Sequence, residues 1–173
     1  GISITVERGE IEMIREFRQE DFESVCAIAE RAWEPIFSGF ERQLGKEVYA
    51  VLNPDSRNSK EKQLAAHLKH HPGCFYIAER RGKIVGFITF YCDAERKVGI
   101  ISNNAVDPCC GEKGVGQEMY RAALEYFRQA GMLLAQVTTG LDEAHAPARR
   151  AYERAGFDLH TEAVTYTMKL GKE

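Results

Sequence analysis

The sequence predicts a single α/β domain of the mixed, α+β type, with a mixed central sheet of about seven strands flanked by helices. Helical periodicity occupies most of residues 21–71, and strand-like stretches rich in β-branched and aromatic residues follow from residue 74. From residue 114 onward, helices and strands alternate. This order places helices against a sheet that is partly parallel.

Composition excludes several classes of protein. The 173 residues suit one domain, and the net charge of −3 is far from that of a nucleic-acid binder. No apolar run is long enough to span a membrane, and no pattern typical of a secretory signal is visible, so none is expected. The odd number of cysteines favours free thiols in a reducing compartment, so a cytoplasmic protein is expected. They are Cys26, Cys74, Cys92, Cys109 and Cys110.

The folded domain is expected to begin at Met13, where alternation typical of a strand starts. Residues 1–12 are interpreted as an N-terminal extension, either a native arm or residues added to the natural protein. Residues 13–173 then form the single domain.

The first half of the chain predicts helices. Residues 21–33 place apolar side chains at helical spacing, and Pro35 is expected to disturb this helix. A second helical region is predicted over residues 36–52, and a polar helix over 59–71.

The second half predicts strands and two further helices. Ala163–Leu170 alternates as a final strand should, and Met132–Thr138 is apolar enough to be buried on both faces. The other predicted strands are Cys74–Glu79, Ile84–Cys92 and Val98–Val106, and the helices are Gly114–Ala130 and 147–155.

A glycine-rich loop lies between a predicted strand and a helix. Gly111, Gly114 and Gly116 read G-x-x-G-x-G, which is neither a nucleotide P-loop nor the dinucleotide fingerprint. Backbone N–H groups at such a helix start can bind a phosphate. Alternatively, the glycines only make a tight turn.

A second motif lies near the C-terminal end of the domain, where Ala148, Tyr152, Gly156 and Phe157 are spaced along and after a short helix. Taken alone, Tyr152 is an ordinary core aromatic. The two motifs together, at this separation, resemble the GNAT superfamily of acyl-CoA-dependent N-acetyltransferases. The resemblance extends from about Met13 to Leu170, and it implies a GNAT-like fold with a splayed strand pair at the CoA site.

The resemblance also implies roles for particular residues. The glycine loop would cradle the pyrophosphate of coenzyme A, and the preceding strand would pair with the pantetheine arm. Tyr152 would protonate the departing CoA thiolate, and His145 occupies a position that contacts the cofactor. The implied cofactor-binding residues are Asn104, Ala105, Val106, Glu112, Lys113, Gly114, Val115, Gly116, Gln117 and His145. The implied acceptor-binding residues are Trp33, Glu34, Phe37 and Asn103.

Two departures from the family pattern concern charge. Glu112 places an anion beside the phosphate site, which weakens CoA binding unless Lys113 offsets it. No general base is evident, so ordered water, Glu34 or His160 would take the acceptor's proton. His67, His70 and His71 share a helix face, but a solvated polar face explains them better than a metal site, and no metal is expected.

The function predicted from these residues is N-acetyl transfer from acetyl-CoA, a co-substrate, to a primary amine by direct attack in a ternary complex. The acceptor would be a small-molecule amine or a protein N-terminus, and neither nucleic acid nor a membrane is an expected partner. The edge strands of the sheet would allow two copies to form a homodimer. The alternatives are a CoA-binding module without turnover and a non-catalytic interaction domain of the same fold.

Overall fold

The computed structural model describes residues 4–7, 10–56 and 58–171. Five helices and six strands are assigned in these ranges. In chain order they are β1 (Ile4–Glu7), β2 (Glu10–Glu16), α1 (Phe22–Leu44), α2 (Lys46–Leu52), α3 (Ser59–His70), β3 (Phe75–Arg80), β4 (Lys83–Asp93), β5 (Val98–Val106), α4 (Val115–Gln129), β6 (Leu134–Val137) and α5 (Ala146–Ala155).

The strands form one mixed sheet in the order β1-β2-β3-β4-β5-β6. Neighbours are antiparallel from β1 to β5, and β5 pairs with β6 in parallel. The predicted mixed α/β architecture is confirmed, with six described strands where about seven were expected. Strand β2 begins at Glu10 rather than Met13, and β1 lies within the predicted N-terminal extension.

Each face of the sheet carries its own hydrophobic cluster. Alternate residues of β3 and β4 point to opposite faces, so Ile77 and Phe87 pack with α1 and α3 while Ala78 and Ile88 pack with α4. Tyr152 of α5 is buried on the α4 side. Helices therefore pack on both faces of the sheet.

Helix α1 does not end near Pro35, as the sequence predicted, but runs unbroken to Leu44. Pro35 is exposed, so the ring lies on the solvent side and the carbonyl that loses its hydrogen bond can be hydrated. Val25, Ile28 and Ala29 are buried on the other side and hold the helix against the sheet. The helix ends at Gly45, which adopts a φ of +81° that favours glycine.

The predicted final strand, Ala163–Leu170, is wrong, because residues 157–170 have no regular secondary structure. Alternation of apolar and polar residues produces a strand only where a neighbouring strand supplies hydrogen bonds. The segment's large apolar side chains are 70–91% exposed. They are Leu159, Val164, Tyr166, Met168 and Leu170.

Strand β6 is also more exposed than predicted. It is the last strand of the described sheet and pairs on one side only, so Leu134 is 61% exposed. The prediction that it is buried on both faces is therefore wrong. In the described ranges, no helix combines the length and apolar character that crossing a membrane requires.

Candidate active site at the splayed end of β5 and β6

Strands β5 and β6 separate halfway along β5. The parallel pairing joins Val98–Ile101 to Leu134–Val137, and β5 continues to Val106 beyond it. A β-bulge lies at the point of separation, where Ser102 and Asn103 of β5 together oppose Thr89 of β4. The Thr89 hydroxyl donates to the Asn103 carbonyl oxygen at 2.8 Å and fixes the bulge.

Two adjoining cavities open at this splay. The loop cavity, of about 510 Å³, is lined by the end of β5, the glycine loop and the first turn of α4. The strand cavity, of about 420 Å³, is lined by the middle of β5 and residues that follow β6. Both cavities share Trp33, Asn104 and Ala148.

The loop cavity contains most of the residues implied to bind coenzyme A. It is lined by Asn104, Ala105, Val106, Glu112, Gly114, Val115, Gly116 and Gln117, together with Tyr120 and Arg154. Lys113 is exposed and does not line this cavity, so the structure does not place its ammonium group there.

The glycine loop brings backbone N–H groups to the cavity wall. Gly114 precedes α4 with a φ of +79°, and the first N–H groups of the helix have no intrahelical acceptor. Gln117 donates its side-chain amide to the Ala151 carbonyl at 2.9 Å, which ties α4 to α5. The helix start can therefore bind an anion where the two helices are held together.

A single amide connects the tyrosines of the site. Asn104 donates to the Tyr152 hydroxyl oxygen at 3.0 Å and accepts from the Tyr120 hydroxyl at 3.1 Å. Burial raises the pKa of Tyr152, although the hydrogen bond from Asn104 opposes this shift. Burial also raises the pKa of Tyr120. Tyr152 is thus a protonated phenol at neutral pH, and its oxygen accepts a bond while its proton can be donated elsewhere.

Lys60 of α3 lies on the wall of the strand cavity. Its Nζ is 2.9 Å from Asn103 Oδ1, 3.2 Å from Gln63 Oε1 and 4.4 Å from the centroid of the Trp33 ring. Burial lowers the pKa of Lys60 to about 8. Asn103 also donates to Gln63 Oε1 at 3.0 Å, so the lysine is surrounded by amide oxygens and an indole face.

His145 lies in the strand cavity rather than the loop cavity. Its Nδ1 is 2.6 Å from Asp142 Oδ1, and its ring is 6.5 Å from that of Phe40. Burial is the largest influence and tends to raise the pKa of Asp142, but the hydrogen bond and charge of His145, together with backbone hydrogen bonds, lower it below its ordinary value. The carboxylate fixes the orientation of the imidazole beside the cavity.

The structure does not bring every predicted residue to the site. Trp33 and Asn103 line the strand cavity, whereas Phe37 and Glu34 line neither cavity. Glu34 accepts a hydrogen bond from Ser38 at 2.8 Å on the exposed side of α1. His160 is exposed in the C-terminal segment. The two side chains considered as bases are therefore outside both cavities.

The strand cavity contains no carboxylate among the described residues that line it. Its polar groups are amides, hydroxyls, one imidazole and the Lys60 ammonium, and its apolar wall includes Tyr91, Ile100 and Ile101. The loop cavity has one anion, Glu112, and one cation, Arg154. The positive charge of Arg154 was not anticipated from the sequence.

Sequence analysis also missed Lys60 and Tyr120. Lys60 lies in a helix of mostly polar residues, and Tyr120 has the spacing of an ordinary core residue, so no local pattern distinguishes either one. Only the tertiary fold brings them to the site: α4 packs against β5, and Lys60 of α3 reaches β5 through its hydrogen bond to Asn103.

The histidines of α3 have structural contacts. His67 Nε2 is 2.9 Å from the Cys74 carbonyl oxygen, and His71 stacks on Tyr91 with ring centroids 4.7 Å apart. Across the described part of the chain, no group of three or more His, Cys, Asp or Glu side chains is arranged to hold a metal ion.

A profile of the acetyltransferase (GNAT) family matches residues 32–157. This match covers most of the chain and includes both cavities. The chain belongs to the GNAT acetyltransferase family.

One curated relative is a mycothiol acetyltransferase of Segniliparus rotundus, 30% identical over 98 residues. The match covers 54% of this chain and 36% of the relative. The chain therefore spans little more than a third of that protein's length.

Solved structures share the fold over nearly the whole chain. The PaiA N-acetyltransferase of Thermoplasma acidophilum, solved with coenzyme A, has a TM-score of 0.69 at 15% identity, covering 88% of this chain and 92% of its own. A GNAT family acetyltransferase of Brucella melitensis, solved with acetyl-CoA, has a TM-score of 0.59 at 19% identity. The match covers 92% of this chain and 91% of that one.

Proposed function

We propose that the protein transfers an acetyl group from acetyl-CoA to a primary amine in a ternary complex. The observation that carries the proposal is the position of Asn104, which lines both cavities and holds the Tyr152 hydroxyl at 3.0 Å. Membership of the family supports acetyl transfer as the reaction class. Acetyl-CoA and the amine would meet at this residue.

The residues of the loop cavity fit the two polar parts of acetyl-CoA. N–H groups at the start of α4 would bind the pyrophosphate, with Arg154 adding positive charge. The stretch of β5 from Asn104 to Val106 is paired with β4 but not with β6, and on its β6 side it would offer backbone groups to the two amides of the pantetheine arm. The thioester supplies an activated acetyl group, and a β5 N–H would polarise its carbonyl.

Tyr152 would provide the proton that the CoA thiolate takes when it leaves. The raised pKa keeps the phenol protonated at neutral pH, and Asn104 fixes the direction of its oxygen. The acceptor amine would occupy the strand cavity, beside Trp33 and Asn103. Because no carboxylate lines that cavity, the amine would lose its proton to water before it attacks.

The test is a panel of primary amines, both small molecules and peptide N-termini, assayed for release of CoA thiol. With the best acceptor, Tyr152→Phe should lower kcat about 10²–10⁴-fold while the KM for acetyl-CoA changes little. Tyr126→Phe is the matched control, because Tyr126 of α4 lines neither cavity and its hydroxyl accepts from Cys74 Sγ. Equal kcat values for wild type and Tyr152→Phe would remove Tyr152 from the mechanism.

A CoA-binding module without turnover is the second candidate. Two observations favour it, the anion of Glu112 at the loop and the lack of a carboxylate base in the strand cavity. It predicts that acetyl-CoA binds while no amine of the panel releases CoA.

A further inference from the structure

We propose that Lys60 is a self-acetylation site: when acetyl-CoA is bound and no external amine is present, the ε-amine of Lys60 accepts the acetyl group. This inference rests on the proposed function, because it needs acetyl-CoA at the splay. It adds a modification site and an inhibitory product to that function.

The position of Lys60 carries the inference. Its Nζ lies 2.9 Å from the side chain of Asn103, and the next residue of β5, Asn104, holds Tyr152. Lys60 and Tyr152 line the same cavity, and Lys60 is the lysine among the described residues of that wall. A flexible four-carbon stem can bring its amine toward a thioester that lies along β5.

The surroundings of Lys60 also suit a nucleophile. Burial beside Trp33 lowers the pKa of Lys60 to about 8, so about a tenth of the side chains are neutral at pH 7. An exposed lysine of ordinary pKa has less than about a thousandth in that form. The two amide oxygens that accept from Nζ hold it at the cavity wall.

The step is a balanced acyl transfer. The lone pair of neutral Nζ attacks the acetyl carbonyl carbon, the C–N bond forms, and the C–S bond breaks with its electron pair going to sulfur. Tyr152 gives its proton to the thiolate, the new amide nitrogen releases one proton to water, and Tyr152 regains a proton from solvent. Nothing is oxidised or reduced.

Acetylation would change the strand cavity. The ammonium becomes a neutral amide with one N–H, so it can no longer donate to both Asn103 and Gln63 or place a cation over Trp33. The added acetyl group would also occupy part of the 420 Å³ cavity. The modified protein should therefore transfer acetyl groups to external amines more slowly.

The experiment incubates the full chain with acetyl-CoA and follows acetylation of each lysine by mass spectrometry. Lys62 is the matched internal control, because it lies two residues away on α3 with its exposed ammonium paired to Asp55 at 2.6 Å. We expect Lys60 to be acetylated at least about tenfold faster than Lys62, and Tyr152→Phe to slow Lys60 at least about tenfold without changing Lys62. An external amine acceptor should protect Lys60.

Two results would overturn the inference. Equal rates at Lys60 and Lys62 would show that the cavity gives no advantage. Equal rates at Lys60 in wild type and Tyr152→Phe would show simple chemical acetylation of a reactive amine, which acetyl phosphate should then reproduce.

Failure of the inference and failure of the proposed function give different results. If acetyl-CoA raises the melting temperature and an external amine is acetylated while Lys60 is not, self-acetylation of Lys60 is contradicted and the proposed function is not. If acetyl-CoA neither binds nor releases CoA thiol with any amine, the proposed function falls with it.

Discussion

Asn104 joins the two cavities through one amide group. It donates to Tyr152 and accepts from Tyr120, so both buried hydroxyls depend on it. The carboxamide therefore has a structural role, and in the proposed reaction it would also position Tyr152.

Replacing Asn104 with leucine should destabilise the protein. Asn104→Leu keeps the side-chain size but leaves two buried hydroxyls without their amide partner, and we expect the free energy of unfolding to fall by about 1–3 kcal/mol. Urea denaturation measures this free energy. Tyr120→Phe, which removes only one of the two hydrogen bonds, should cost less, and an Asn104→Leu protein as stable as wild type would contradict the account.

Glu112 should oppose the binding of a polyanion at the loop. Replacing Glu112 with glutamine should tighten acetyl-CoA binding about threefold to tenfold at low ionic strength, and added salt should shrink the difference. Isothermal titration calorimetry measures both affinities. Glu125→Gln is the control, an exposed acid on α4 that lines neither cavity. An unchanged affinity at low salt would place the phosphates away from Glu112.

The sequence pointed to Tyr152 as a residue of the site but not to Lys60, although both line the strand cavity, and the reason is physical. Tyr152 follows a motif with fixed spacing in one short helix, so its position can be deduced locally. Lys60 reaches the cavity only because α3 packs against α1 and the sheet, which brings its ammonium to Asn103 of β5. Contacts between residues far apart in the chain leave no local pattern.

The glycine loop and the start of α4 act as one element. Gly111 and Gly114 both have positive φ, of +67° and +79°, but only Gly114 lines the loop cavity. Substitutions at the two glycines can therefore distinguish the cost of backbone strain from an effect on ligand binding.

Alanine substitutions at these glycines should differ in their effect on acetyl-CoA. Gly111→Ala and Gly114→Ala should each lower stability by about 1 kcal/mol, because both place a side chain in the left-handed region. Only Gly114→Ala should raise the dissociation constant for acetyl-CoA, by displacing N–H groups from the cavity wall. Equal dissociation constants for the two variants would argue against the loop as the phosphate site.

Elements that carry their own boundary signals were predicted closely. The turn at Gly131 ends α4, and Gly156, in a left-handed conformation, ends α5. Pro35 was misjudged because packing of α1 outweighs one lost hydrogen bond. Strand β6 and the C-terminal segment were misjudged because burial of an apolar strand depends on which neighbour lies beside it.

A buried ion cluster links the N-terminal part of the fold to the sheet. Arg15 of β2 donates to both carboxylate oxygens of Asp21, at 2.7 and 2.9 Å, and to Glu79 of β3 at 2.8 Å. Burial tends to raise the pKa of Asp21, but the hydrogen bonds from Arg15 and the Arg18 N–H lower it below its ordinary value of 3.8.

This lowered pKa determines how the stability of the protein changes as the pH falls. The stabilisation from Asp21 is present above its ordinary pKa and is lost as the pH falls through the lower value of the folded protein. Asp21→Asn should cost about 3–5 kcal/mol at neutral pH and make the acid dependence of stability shallower. Denaturant titrations at a series of pH values measure both, with the exposed Asp55→Asn as a control that should change little. An acid dependence as steep as that of wild type would rule out this role.

The mixed sheet and its helices on both faces followed from the order of elements in the chain. The number of strands did not, because the last predicted strand finds no partner within one copy. The site needed the whole fold, since β5, the α4 loop, α3 and α5 meet there from distant parts of the sequence.

The most direct measurement is thermal unfolding with and without acetyl-CoA, with ATP and NAD as controls. At about 100 times its dissociation constant, a ligand adds about 2.7 kcal/mol, which should raise the melting temperature by about 5–10 °C for a chain of this length. A rise with acetyl-CoA and none with ATP or NAD is the predicted result. No rise at millimolar acetyl-CoA, or an equal rise with ATP, would contradict an acetyl-CoA site at the splay of β5 and β6.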